Sequence, residues 1–354
     1  MQEISLPQKS SLSVERDALR QLPGLLAELL GEEPRALTRG PAPDRGGDLA
    51  VADSRGRRWL VEVKTTSRPG HVLDAARLLR RHASKDAIPL LVVPYMSTAG
   101  ARAAQEGGVN WVDLSGNACI RAENLHVWVQ GRPNAYPSRG RPSSPFAPKG
   151  ARIARVLLLD PERWWRQRDV VEATGLDDGT VSRIVRRLDE DLLLEIRGRE
   201  LRPRAPTLLL DAWADDYRFD RHDVVTGHLS GSGIEVARRI ARRLRDEDVR
   251  HAFTGLSAAW AMDRFARFRL NTVYVAGDPR DAADALGLRR VERGANVQVV
   301  GPDDAGVFAG EGSWDDLNCV SPAQVYLDLL HLPERAEDAA HHLRAERLWP
   351  RADA

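Results

Sequence analysis

Lysine is almost missing from this chain. Among 52 lysine and arginine residues in 354, only Lys9, Lys64, Lys85 and Lys149 are lysines, and the rest are arginine. A GC-rich coding background explains such a bias most simply, and it marks each surviving lysine as a place where arginine does not serve. Cysteine is nearly as scarce. Cys119 and Cys319 lie far apart and form no CxxC or zinc-ligand spacing, which excludes a disulfide framework and fits a reduced cytoplasm. No apolar run approaches the roughly 20 residues a membrane helix needs. The opening MQEISLPQKSSLSVERD lacks a secretory core, so a soluble cytoplasmic protein is expected. Excess charge is missing too. The net charge is +1, so any nucleic-acid binding has to come from segregated patches.

What is present is ordinary for a globular chain: 42% apolar and 29% charged residues, and length enough for two or three domains. The clearest seam is GRPNAYPSRGRPSSPFAPKG, residues 131–150, with five prolines and no hydrophobic period, which reads as an extended linker. Before it, SVERDALRQLPGLLAELLG suggests a helix broken near Pro23. DLAVAD, WLVEVK, PLLVVPY, NWVDLS and CIRAENLHVWVQ read as strands, with two helices between them, so residues 1–130 are expected to form an α/β domain. Residues 151–206 read as three helices and a hairpin, and 207–354 as an α+β domain. The expectation is a multidomain α/β + α protein.

WLVEVKTT raises the first chemical question, because a lysine sits there in an apolar run. Glu62 and Lys64 occupy alternate positions of one strand and share a face. Asp48 opens the preceding strand after a Gly-Gly turn, and pairing of the two strands brings its carboxylate toward that of Glu62. Two carboxylates with the Val63 carbonyl make an oxygen-only set suited to Mg²⁺ (or Mn²⁺). A lysine beside the metal can orient the attacking water and offset charge growing on a phosphate, which arginine's planar fork does less well. The plain alternative is a surface ion pair worth little.

The GGD turn followed by a strand with ExK resembles the PD-(D/E)xK nuclease superfamily over roughly residues 28–129. The resemblance implies a restriction-endonuclease-like domain with Asp48 and Glu62 as metal ligands, the Val63 carbonyl assisting, and Lys64 catalytic. It also implies an acid on the first helix, for which Glu28 is the best placed, with Glu15 behind it. Where many members carry glutamine or lysine on the next helix, this chain offers Arg77. Further on, GGVNWVDLSGNACI places Asp113 and Asn117 either at the same cleft or in a plain hairpin turn. Its G-V-x-x-x-D-L-x-G-N-A pattern is similar to proteins grouped with the AbiEi antitoxins.

In ATGLDDGTVSRIVRRL, Gly175 ends a helix and Asp177 or Asp178 can cap the next. That helix sets Val181, Ile184, Val185 and Leu188 on one face. Thr180, Ser182, Arg183, Arg186 and Arg187 remain for base edges and phosphates. EIRGRELRPR supplies a hairpin with Gly198 at its tip and Arg197, Arg199, Arg202 and Arg204 along it. The whole resembles a MarR- or Rrf2-like winged helix-turn-helix, which implies duplex DNA as partner and a hairpin able to reach an adjacent groove. The alternative is a winged helix used for protein contacts, since acids nearly balance the arginines.

HAFTGLSAAWAMDRFARFRLNTVYV and SPAQVYLDLLHLPERAEDAAHHLR resemble the C-terminal part of AbiEi-family antitoxins and regulators. That implies an α+β domain distantly like nucleotidyltransferases, but the Gly231–Gly233 GSG turn is followed by no strand D-x-D, so no transferase chemistry is expected. Five arginines on ARRIARRLR read as a solvated or phosphate-facing helix side. Two functions follow. One is a Mg²⁺-dependent DNA endonuclease acting on duplex or branched DNA, targeted by the winged helix and favoured by the retained lysine. The other is a non-catalytic AbiEi-like regulator or antitoxin with a homodimeric habit or a cognate toxin.

Overall fold

The computed structural model describes residues 11–31, 49–52, 55–84, 86–137, 144–265, 267–291 and 293–349. The chain is a mixed α/β protein of two compact units, Met1–Ser143 with Glu190–Leu193, and Ser144–Asp189 with Leu194–Ala354.

The first unit runs α1 (Ser11–Leu30), β1 (Leu49–Ala52), β2 (Arg58–Val63), α2 (Pro69–His82), β3 (Ala87–Val93), α3 (Thr98–Glu106), β4 (Asn110–Asp113), β5 (Ala118–Ala122) and β6 (Leu125–Val129). Its six strands lie in sequence order in one sheet. β1 is antiparallel to β2 with Leu49 opposite Val61, β2, β3 and β4 are parallel, and β5 and β6 return antiparallel. Alternation places Trp59, Val61 and Val63 on one face, where they pack with Leu90, Val92 and Ile120 against Ala18, Leu22 and Leu26 of α1. α2 and α3 lie side by side on the rest of the unit.

Two expectations change here. Pro23 does not break α1. The buried stripe Ala18, Leu22, Leu26 continues across it, and that packing outweighs the single backbone bond the proline removes. Nor is the whole 131–150 segment a linker. Arg132 N–H donates to Asn117 Oδ1 at 2.9 Å, Ala135 N–H to Ser115 Oγ at 3.1 Å, and Tyr136 Oη–H to Gln21 Oε1 at 2.9 Å. These bonds fasten its first residues to the first unit, while Pro148, at a position where a missing N–H costs nothing, starts the next helix.

The second unit begins with α4 (Pro148–Leu159), β7 (Trp165–Arg166), α5 (Gln167–Thr174), α6 (Asp178–Glu190), β8 (Leu194–Arg197) and β9 (Glu200–Pro203), the strands pairing in the order β7-β9-β8. Gly175, at φ 67°, closes α5 in the left-handed conformation glycine adopts without strain, and Gly198, at φ 62°, does the same at the hairpin tip. There follow α7 (Pro206–Asp216), β10 (Asp223–His228), α8 (Gly233–Asp246), β11 (His251–Thr254), α9 (Gly255–Asp263), β12 (Asn271–Val275), α10 (Pro279–Ala285), β13 (Arg289–Arg290), β14 (Val297–Gly301), β15 (Gly312–Trp314), β16 (Leu317–Cys319), α11 (Pro322–Leu329) and α12 (Ala336–Arg347). The seven strands from β10 onward form one mixed sheet, ordered β13-β10-β14-β12-β11-β16-β15. No described helix is long and apolar enough to cross a membrane.

Candidate functional site

A recess of the second unit lies between the start of α5, α6 and the β8–β9 hairpin. Its volume is about 760 Å³. Val185, Ile196 and Leu201 give it an apolar floor, and Arg166, Arg168, Arg197 and Arg199 stand along its sides. β7 is the device that makes it. Pairing Trp165 with Leu201 and Arg166 with Glu200 lays the entry to α5 alongside the hairpin. Arg166 and Arg168 therefore join a surface that the hairpin arginines alone do not define. A two-residue strand leaves no periodic signal, and only the charge of the RQR run hints at it.

α6 is built as its pattern requires. Val181, Val185 and Leu188 are buried. Asp177, rather than Asp178, caps the helix: its Oδ1 accepts the Thr180 N–H at 2.8 Å, and bonds from Thr180 hold its carboxyl below the usual range. Thr180 itself is buried, and its hydroxyl accepts from Arg183 at 3.1 Å, so it supports α6 instead of reading bases. Ser182, Arg183 and Arg186 are exposed, and Arg187 is half-buried.

The hairpin arginines differ among themselves. Arg202 donates to Glu195 at 3.0 Å and to Glu162 at 3.4 Å, and it stacks 4.6 Å from the centre of the Trp164 ring. Arg197 covers the same ring at 4.4 Å, near Glu195 at 3.8 Å. Arg199, beside the tip, is exposed. Arg204 is half-buried. Charge is thus held in check along both strands of the hairpin and offered at its end.

In the first unit, Glu62 is 4% exposed and its Oε1 accepts from Lys64 Nζ at 2.6 Å, with Lys64 at the solvent boundary. The shared face is as the alternation requires. Asp48 lies outside the described residues. Glu28 is exposed and pairs with Arg132 at 3.0 Å, and Arg77 is exposed near Asp74 at 3.8 Å. The side chain of Glu15 lies outside the described ones. Among the described residues, no group of three or more His, Cys, Asp or Glu side chains could hold a metal ion.

Asp113 and Asn117 are structural. Asp113 is fully buried, and its carboxylate accepts from Met96 N–H at 3.0 Å, Asn117 N–H at 2.9 Å and the Asn117 amide at 2.9 Å. The pair locks the β4–β5 turn to the residues after β3 and after β6, and three donors on a fully buried carboxylate give Asp113 a structural task.

A buried polar cluster joins α4 to the seven-stranded sheet. Asp328 accepts from Thr254, Tyr217, Tyr274 at 3.2 Å and Gln324 at 2.9 Å. Burial pushes its carboxyl up despite these donors, and pushes the two phenols well above their usual value. The Gly231–Gly233 turn is closed by its own acid: Ser232 caps α8, and Glu235 Oε2 accepts from Ser232 Oγ at 2.8 Å and from its N–H at 3.1 Å. On α8, Arg238 reaches Asp315 at 3.3 Å, Arg239 the Ser230 carbonyl at 2.7 Å, and Arg243 Glu247 at 3.0 Å, so much of that arginine face is engaged locally.

Residues 203–349 match the family described as transcriptional regulator, AbiEi antitoxin, type IV TA system. The match covers the end of the hairpin and the α/β part of the second unit, under half of the chain. No curated protein and no solved structure matches the chain.

Proposed function

We propose that this chain is a DNA-binding transcriptional regulator of antitoxin type. On this reading residues 151–206 act as a winged helix-turn-helix that grips duplex DNA in the arginine-lined groove, with α6 in the major groove and the Gly198 tip on the backbone. The observation that carries it is the groove itself, which gathers Arg166, Arg168, Arg197 and Arg199 against Val185 of α6, a helix whose Ser182, Arg183 and Arg186 are exposed, in the same unit as the AbiEi-like segment. The near-zero net charge then helps selectivity, because it keeps general attraction to phosphate weak and leaves local patches to do the binding. A cytoplasmic site of action and a toxin partner follow from the same role. The test is a gel-shift and salt titration with duplex from the protein's own promoter against a scrambled duplex. Equal affinity for both, or none, would remove the regulator reading.

A second reading, Mg²⁺- or Mn²⁺-dependent hydrolysis of DNA, draws on one observation: a carboxylate as buried as Glu62 carries a lysine two residues on. Asp48, Glu62 and the Val63 carbonyl would hold the ion, which would polarise a phosphodiester, and Lys64 would orient water. The donor set suits a hard cation. Cleavage of supercoiled or branched DNA that needs the metal and is lost in Lys64→Ala would establish this reading. Absence of cleavage with DNA binding retained would leave the nuclease-like unit as a scaffold.

A further inference from the structure

β6 is the last strand of the six-stranded sheet, and among the described residues no strand pairs with its outer edge. Which backbone groups point outward can be worked out from the hydrogen bonds of its neighbours. Asp113 N–H donates to the Asn117 carbonyl at 2.8 Å, making these two a hydrogen-bonded pair. The antiparallel pattern alternates, so Cys119 opposite Trp111 is the next such pair, and odd-numbered residues of β5 face β4. Arg121 N–H, bonded at 2.7 Å to the Asn110 side chain on β4, agrees with that phase. Ala118, Ile120 and Ala122 therefore bond to Val129, Val127 and Leu125 of β6. The N–H and C=O groups of His126 and Trp128 are left pointing away from the sheet.

An edge of this kind is normally guarded by lysine, proline, a bulge or an inward charge. β6 reads LHVWV and has none of these. Trp128 is 50% exposed, and Leu125 and Val127 are half-buried at the margin of the core. The sequence also has a property that selects the partner. Read backwards, its pattern is unchanged: aliphatic at the first, third and fifth positions, aromatic at the second and fourth.

We infer that β6 is the interface of a homodimer, in which two copies pair antiparallel about a two-fold axis through Val127. In that register His126 of each chain stands opposite Trp128 of the other, and each such pair exchanges two backbone hydrogen bonds, about four in all. Val127 faces its own copy, and Leu125 meets Val129. Every cross-strand pair joins like with like, aromatic on one face and aliphatic on the other. No other register of two β6 strands does this while satisfying the outward groups of both His126 and Trp128. What the second unit binds has no bearing on this edge. If that unit binds duplex DNA, the dimer carries two arginine grooves, and the operator to look for is an inverted repeat.

Sedimentation velocity of the full-length protein over a range of concentrations, without DNA, tests it. The expected result is a species of twice the chain mass. Trp128→Lys, at a half-exposed position where a lysine is compatible with folding, should weaken it at least about tenfold, by removing the aromatic partner of His126 at both cross-strand pairs and placing a guarding charge on the edge. Adding His126→Glu should restore part of the loss, because opposite charges then face each other. Val127→Cys should form an oxidised covalent dimer in a Cys119→Ser background, since the two thiols would meet at the axis. A protein monomeric at every concentration, or a dimer unchanged by Trp128→Lys, would overturn the proposal. A dimer that forms no Val127→Cys cross-link would overturn the register. None of these readouts involves DNA, so failure here is distinct from failure of the regulator reading.

Discussion

Arg155 on α4 donates to Gln324 on α11 at 2.7 Å, while its guanidinium lies over the Trp213 ring, 5.1 Å from the centre, and its Nε finds no partner. A buried cation is held by one side-chain amide, a long 3.5 Å bond to the Ala151 carbonyl and an aromatic face, and burial lowers its hold on its proton. The contact ties α4 to α11, so the three-helix segment and the AbiEi-like segment should unfold together. Arg155→Ala leaves the Gln324 carbonyl oxygen and the ring face exposed to a void, and should cost about 2–4 kcal/mol. Urea unfolding followed by tryptophan fluorescence checks this. A loss under about 0.5 kcal/mol would mean that the contact contributes nothing.

Gln324 also feeds the cluster around Asp328, whose titration has a definite sign. Burial raises the Asp328 carboxyl above its unfolded value of about 3.9. The folded state therefore binds that proton more tightly, so its contribution to stability is present in full below the unfolded pKa and is lost as pH rises through the folded one. The stability of wild type minus that of Asp328→Asn should be highest at the acid end and fall as pH rises from about 4 to neutrality. A wild type that gains stability over Asp328→Asn toward neutral pH would mean the ionised carboxylate is the form the four donors stabilise.

Asp113 and Asn117 separate structure from catalysis in the first unit. Asp113→Ala would strand three donors, Met96 N–H, Asn117 N–H and the Asn117 amide, in a buried site. The expected cost is about 2–4 kcal/mol, since loss of a buried acceptor exposes each donor's desolvation penalty. DNA affinity of the folded fraction should not change. A stable Asp113→Ala protein with altered nucleic-acid chemistry would return the aspartate to a functional role.

How far the sequence carried these conclusions depended on the range of the interaction. Trp59, Val61 and Val63 announce a strand with one buried face, and Val181, Val185 and Leu188 announce α6, because periods of 2 and 3.6 are local properties. The shared face of Glu62 and Lys64 follows from the same alternation. Contacts distant in sequence were not legible. Nothing near Pro23 says that Leu22 and Leu26 will hold α1 through it. Nothing near Thr180 says that it turns inward, or near Arg202 that Glu162, forty residues earlier, will hold it. The SGN of residues 115–117 reads as a turn, but its anchoring by Met96 and Arg132 depends on strand order. Asp48 lies outside the described residues, so its pairing with Glu62 rests on the sequence pattern alone.

The groove arginines should separate by their present partners. Arg199, exposed at the hairpin tip, can meet a phosphate without giving up an ion pair, whereas Arg202 would have to leave Glu195, Glu162 and Trp164. Each phosphate contact releases condensed counterions, so removing one should reduce the slope of log K against log salt by about 0.9. Arg199→Ala should therefore weaken duplex binding roughly uniformly across sequences and flatten the slope by about that amount. Arg183→Ala, on the exposed face of α6, should cost about 1–3 kcal/mol on the preferred sequence and much less on a scrambled one. Arg202→Ala should leave the slope nearly unchanged and lower hairpin stability instead. Fluorescence anisotropy across a salt series measures all three. Equal slopes for Arg199→Ala and Arg202→Ala would mean that Glu195 and Glu162 release Arg202 on binding, and that DNA competes successfully with the ion pairs seen here.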